Sequence, residues 1–200
     1  MDQIEAFNRA WFLKINADPH SSLWLVRVAI LMAEGWIYLI PAMLAAMWLW
    51  GGEARRNQAM KAFLVAMLGL GLNLAIAHLW PHPRPFMIFF GRTLIPHVAD
   101  SSFPSDHITI FFSIGLSLVV GNELRYGLAI LAAGAGAAWA RVFLGVHFPL
   151  DTLGSVGVAA LSLAGITLCW PNLGQVVLRF TERMYRKTLA LPIASGWFSR

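Results

Sequence analysis

Five long apolar runs, at residues 22 to 50, 61 to 80, 105 to 121, 126 to 145 and 149 to 170, are separated by short segments that hold most of the charge. Each run is bounded by Pro, Gly or a charged residue. Runs of this length match the hydrocarbon thickness of a bilayer, where the backbone must satisfy its own hydrogen bonds, and a helix does so within one segment. The sequence therefore predicts an all-α fold, a polytopic membrane bundle of five to six transmembrane helices. The count turns on residues 22 to 50, which make one strongly tilted span, or two shorter ones if Arg27, Glu34-Gly35 or Pro41 interrupts them. One span is the reading carried forward. Glu34, an acidic group inside an apolar run, is a functional candidate, a partner of Arg27 or the mark of a bend, and it is left unassigned.

Composition agrees, with 58% hydrophobic and 12% charged residues among 200. Ile4, Phe7, Trp11 and Ile15 recur at helical spacing with charges opposite, so residues 1 to 20 should contain an amphipathic helix lying in the membrane interface. That segment lacks the apolar core of a signal peptide, and the N-terminus is expected to be retained. The single cysteine, Cys169, reads as a small buried side chain and excludes an internal disulfide.

A net charge of +5 could suggest nucleic acid, but the basic residues flank the apolar runs. Arg55, Arg56 and Lys61 fill the first inter-helix loop, Arg125 sits in another, and Arg179, Arg183, Arg186 and Lys187 crowd the tail. The positive-inside rule makes these segments cytoplasmic, including a basic tail over residues 172 to 200, and no nucleic-acid partner is expected. Threading five spans with that constraint puts the 81 to 104 loop and the 146 to 149 turn together on the outer face. Gly69, Gly71, Gly134 and Gly136 lie inside apolar runs, where small residues allow close helix packing rather than nucleotide binding. The whole chain, residues 1 to 200, reads as one integral membrane domain; oligomeric state is open.

Three polar clusters fall at the ends of these runs: His82-Pro83-Arg84-Pro85-Phe86, Pro104-Ser105-Asp106-His107, and Arg141 with His147 and Asp151. Pro149 fits the first turn of a helix, which places His147 at or just before a helix start. Asp151, four residues on, then comes back under the imidazole, either as its partner or as part of a structural cap. Ser105 or Asp106 stands where a residue caps the helix that follows, and His107 sits one position further in. Arg84 and Arg141 supply planar, permanently charged donors suited to phosphate oxygens. A histidine beside a carboxylate serves as nucleophile, acid or base near neutral pH.

These clusters resemble the three motifs of the type 2 phosphatidic acid phosphatase superfamily, integral membrane lipid phosphatases. Arg84-Pro85 matches the end of the first motif, Pro104-Ser105 and His107 the second, and Arg141, His147 and Asp151 the third, in register. Ala77 stands where the first motif has lysine, with His78, His82 and Arg92 as nearby substitutes. Asp106 replaces a glycine and Ala140 a serine. The HPRPF segment, the His97 to Asp100 stretch and SSFPSDH resemble the undecaprenyl-diphosphatase branch in particular.

The resemblance implies His147 as a nucleophile that forms a phosphohistidine, Asp151 as its orienting carboxylate, and His107 as acid and then base. It assigns Arg84, Arg141, Ser105, Asp106 and His97 to binding a polyprenyl diphosphate, without metal or cofactor. It implies a bacterial plasma-membrane enzyme with an outward-facing site. Other lipid phosphates (phosphatidylglycerol phosphate, phosphatidate or lipid A) are alternative substrates. A noncatalytic membrane protein is the reading from a different class.

Overall fold

The computed structural model describes residues 2–198, and every regular element among them is helical. Helix α1 (Asp2–Ile15) is followed by α2 (Leu23–Ile30), a widened π turn at Leu31–Gly35, a tight 3-10 turn at Trp36–Tyr38, and α3 (Leu39–Trp50). Ser22 caps α2 by accepting from the Leu25 amide. The run from 22 to 50 is thus one span with a defect at Glu34-Gly35. Pro41 falls in the first turn of α3, where its missing N–H costs nothing, so the ladder is altered before the proline rather than broken by it.

The remaining helices are α4 (Glu53–Leu79), α5 (Asp106–Val120), α6 (Leu124–Phe143), α7 (Pro149–Thr188) and the short α8 (Ala190–Ala194). Segments Leu23–Trp50, α4, α6 and α7 are long and apolar enough to cross a bilayer, and α5 is a shorter apolar helix. Together they make a multi-pass membrane protein. With 15 residues, α5 is about 22 Å long, less than the roughly 30 Å of hydrocarbon. It is the central helix, packed against α4, α6 and α7 through Ile108, Phe111, Ile114 and Leu118. Gly134 lets α6 approach it: a Cβ there would lie 2.8 Å from that of Phe111.

Several boundaries differ from the sequence reading. The basic segment at 55 to 61 is not a loop, because α4 begins at Glu53 and takes it into its first turns. Arg56 is buried, donating from Nε to the Trp48 carbonyl at 2.9 Å and stacking over the Tyr185 ring at 4.5 Å. Helix α7 does not end near residue 170 but passes Pro171 and runs 40 residues, about 60 Å. Beyond the proline, Tyr185 packs against Trp48 and Arg56 and holds the far end of the helix on the bundle. Cys169 is exposed on α7, not buried.

Helix α1 docks on the bundle through Asn8 and the fully buried Phe12, one position on from the apolar set read in the sequence. Ile4 and Phe7 stay exposed, as an interfacial helix requires.

Candidate active site

The third cluster is assembled by a reversal between α6 and α7. Gly145 adopts φ +81°, and a Cβ there would fall 2.1 Å from the Arg92 carbonyl oxygen, so the turn needs glycine. The chain then extends through Phe148 and enters α7 at Pro149, with His147 just outside the helix. His147 and Asp151 are both about 1% exposed. Asp151 Oδ2 accepts from the Phe148 amide at 2.7 Å and lies 3.4 Å from His147 Nδ1. One carboxylate is therefore both cap and imidazole partner, and the two readings of the spacing coincide.

The opposite ring nitrogen, Nε2, faces Arg84 Nη1 at 3.0 Å. A guanidinium only donates, so Nε2 accepts and Nδ1 carries the proton toward Asp151. Burial pushes the imidazole down to about 4, reinforced by Arg141 and Arg84 and opposed by Asp151. His147 is neutral at physiological pH, with its lone pair directed at a cationic donor.

Arg84 extends from the tight turn Pro85–Ile88 and is held at every edge: Nε donates to Asp100 Oδ1 at 2.8 Å, Nη1 to the Val146 carbonyl at 3.0 Å and Nη2 to the Ser101 carbonyl at 3.3 Å. Arg141, near the end of α6, donates from Nη1 to the Ala33 carbonyl at 3.2 Å and from Nη2 to His97 Nε2 at 2.8 Å. The carbonyl it uses lies in the π turn, which gives the defect beside Glu34 a place in the site. Its Nε is buried without a partner. His97 Nδ1 meets the Val98 carbonyl at 3.1 Å, and burial lowers the pKa of this ring too.

Ser105 occupies the N-cap position of α5, but its side chain caps nothing; its hydroxyl is buried and unpartnered. Asp106, in the first turn of α5, accepts from Asn73 Nδ2 at 2.8 Å, and Asn73 also donates to Thr109 at 3.0 Å. A cavity of about 500 Å³ joins Arg84, His97, Asp106, His107, Arg141 and His147, with Leu70, Leu74 and Ala77 of α4 as an apolar wall. Ser105 falls between the lining residues Pro104 and Asp106, and Asp151 reaches the site through His147. None of the three suggested substitutes for the missing lysine lines the cavity: Arg92 donates to the Asp18 carbonyl at 2.7 Å, His82 turns toward Glu5, and His78 is exposed at the end of α4. Helix α4 contributes Asn73 instead, one turn before Ala77.

Two polar contributors escaped the sequence reading. Asn73 was visible as an amide inside an apolar run, four residues from Ala77, a signal that points to a function or a partner. Ser102, fully buried, donates its hydroxyl to Asp151 Oδ2 across 49 positions of sequence, a contact that no local spacing reveals.

A permanently cationic, partly unpartnered cavity with a neutral imidazole at its floor can take up a phosphate and attack it. The sequence profile of the PAP2 superfamily matches residues 58–175. The chain belongs to the PAP2 superfamily. Within it, YbjG of Escherichia coli (strain K12), provisionally named an undecaprenyl-diphosphatase, is 34% identical over 97% of this chain and 98% of its own. The undecaprenyl-diphosphatase BcrC of Bacillus subtilis (strain 168) is 33% identical over 75% of this chain and 77% of its own. Among solved structures, Aquifex aeolicus LpxE superposes with a TM-score of 0.63 at 22% identity, covering 80% of this chain and 94% of that one. A transmembrane PAP2-type phosphatidylglycerolphosphate phosphatase from Bacillus subtilis gives 0.61 at 21% identity, covering 84% and 86%. These two share the fold. The π turn whose Ala33 carbonyl meets Arg141 lies outside the profile match.

Proposed function

We propose that this PAP2 protein is an integral membrane lipid phosphatase that hydrolyses undecaprenyl diphosphate to undecaprenyl phosphate and inorganic phosphate, returning the lipid carrier used in cell-wall synthesis. The observation that carries the reading is His147, neutral and buried, with Nε2 aimed at Arg84 in a cavity that is cationic on one side and apolar on the other. Overall similarity to BcrC and YbjG supports the choice of diphosphate.

In this mechanism Arg84, Arg141 and the Ser105 hydroxyl receive the phosphoryl oxygens, and His97, whose Nε2 accepts from Arg141, orients that guanidinium toward them. Incoming oxygens replace Nε2 as the acceptor for Arg84, which frees the lone pair. Nε2 attacks the terminal phosphorus as the bond to the bridging oxygen breaks, and His107, which takes up a proton when the substrate's negative charge enters the cavity, gives that oxygen the proton. The lipid monophosphate departs, leaving a phosphohistidine whose positive ring is stabilised through Nδ1–H by Asp151. His107, now neutral, takes a proton from water as the water oxygen attacks phosphorus and the P–N bond breaks. Phosphate leaves and both histidines return to their starting forms. The arginines supply the charge stabilisation, and no metal enters the scheme.

The 200 residues work as one domain in the bacterial plasma membrane, with the cavity facing outward and the basic end of α7 inward, on the positive-inside rule. The leucine wall offers the first units of the prenyl chain a way from the cavity to lipid, since Leu74 is largely exposed.

The test offers purified protein in detergent, with chelator, undecaprenyl diphosphate, phosphatidate and phosphatidylglycerol phosphate, and follows released phosphate. Preferential turnover of the diphosphate is expected. Turnover of none would remove the enzyme reading, preference for a monoester would move the substrate, and loss of activity on chelation would contradict the metal-free scheme.

A further inference from the structure

Asp151 Oδ2 gathers three groups: the Phe148 amide at 2.7 Å, His147 Nδ1 at 3.4 Å, and the Ser102 hydroxyl in a short hydrogen bond. The same Ser102 Oγ stands 3.5 Å from His147 Nδ1, so it borders both members of the pair. Its position is itself enforced. The side chain is fully buried, and its backbone amide donates to the His82 carbonyl at 2.7 Å, tying this loop to the one that carries Arg84. A buried hydroxyl must find an acceptor, and Asp151 is the acceptor it takes.

We propose that Ser102 is a positioning residue of the His147–Asp151 pair, a role that rests on the proposed phosphohistidine chemistry. It fixes the carboxylate oxygen beneath the imidazole and offers a second acceptor to Nδ1–H, holding the ring in the tautomer that leaves Nε2 free. The hydroxyl also draws negative charge off Oδ2. With that donor gone, the bare carboxylate favours the protonated imidazolium more strongly, which competes with nucleophilic attack.

Other charged or titratable groups also surround this ring: Arg84, itself paired with Asp100, from the loops around the Pro85–Ile88 turn, His97 from the same outer region, His107 from α5, and Arg141 from α6. All of these are left in place by a change at Ser102. A shift in the titration of His147 in that variant therefore reports on the serine and not on its neighbours.

The experiment compares wild type, Ser102→Ala and Ser102→Thr in two readouts. The first is the steady-state hydrolysis of undecaprenyl diphosphate as a function of pH. In Ser102→Ala, kcat falls about tenfold to a hundredfold with KM nearly unchanged, the acid limb moves up by about one pH unit, and Ser102→Thr recovers most of both. The second is substrate-free: the His147 ring is titrated by nitrogen-15 NMR in detergent, and its midpoint is higher in Ser102→Ala than in wild type. The proposal is overturned if the midpoint and acid limb stay where they are in wild type, if only KM changes, or if the threonine variant is as impaired as the alanine. Failure of wild type to hydrolyse the diphosphate would strike the proposed function instead, while the NMR midpoint still decides the role of Ser102.

Discussion

Two arginines are buried at opposite ends of the bundle, and their surroundings differ in kind. Arg56, in the first turn of α4, is enclosed by protein: the Trp48 carbonyl, the Tyr185 hydroxyl and ring, and Glu182 at 3.9 Å. It fastens the long end of α7 to the start of α4. Arg141 has two donors engaged and an orphaned Nε, and it borders a cavity shared with a second guanidinium. Two cations placed together with unused donors are a poor structural device and a good anion site. Burial alone does not separate these roles; the fate of the donors does.

This contrast can be broken by substitution. The largest effect belongs to the floor of the cavity, where His147→Gln removes the proposed nucleophile while keeping a polar side chain; phosphate release should fall by about 10³-fold or more. Next, Arg141→Gln should cost about 10²- to 10³-fold in kcat/KM, with a smaller change in Tm than its burial suggests. Arg56→Gln should do the reverse, lowering Tm by several degrees in detergent while kcat per folded enzyme stays within about twofold. If Arg56→Gln silences folded enzyme, or Arg141→Gln acts only on Tm, the division between rivet and anion site is wrong.

A smaller effect is expected from Ala77→Lys, which restores the charge of the family motif. A lysine there adds attraction for phosphate but interrupts the Leu70, Leu74 and Ala77 wall. The ratio of kcat/KM for undecaprenyl over farnesyl diphosphate should fall several-fold, and a rise for both substrates together would show that the wall carries no chain. The smallest effect is in pH. The folded-state pKa of His147, near 4, lies below the ordinary 6.5, so the folded state binds fewer protons than the unfolded one between these values. Stability should therefore drop as pH falls from about 6.5 toward 4, and Tm in His147→Gln should fall less over that window.

The spans, the interfacial N-terminal helix and the meeting of three clusters were legible because hydropathy and motif spacing are local or rule-bound. Helix limits were not. Arg55 and Arg56 look like a solvated loop until Tyr185, 129 positions away, supplies the partner that makes burial of Arg56 affordable. Pro171 looks like a stop until the same contact is known. In the candidate site, His147, Asp151 and Arg141 could be placed by register within one turn. Ser105 stood at the right cap position, yet its hydroxyl is left free. The Ser102 contact and the π-turn carbonyl that receives Arg141 depend on segments far apart in sequence, and only the fold brings them together.

The proposed function turns on covalent phosphorylation of His147 Nε2. Undecaprenyl diphosphate labelled at its terminal phosphorus, mixed with protein and quenched in alkali within the first turnover, tests it directly, since phosphohistidine survives base and is lost in acid. An acid-labile label should map to His147 and be missing from His147→Gln. Label on another residue, or turnover of wild type with no labelled protein at any early time, would contradict it.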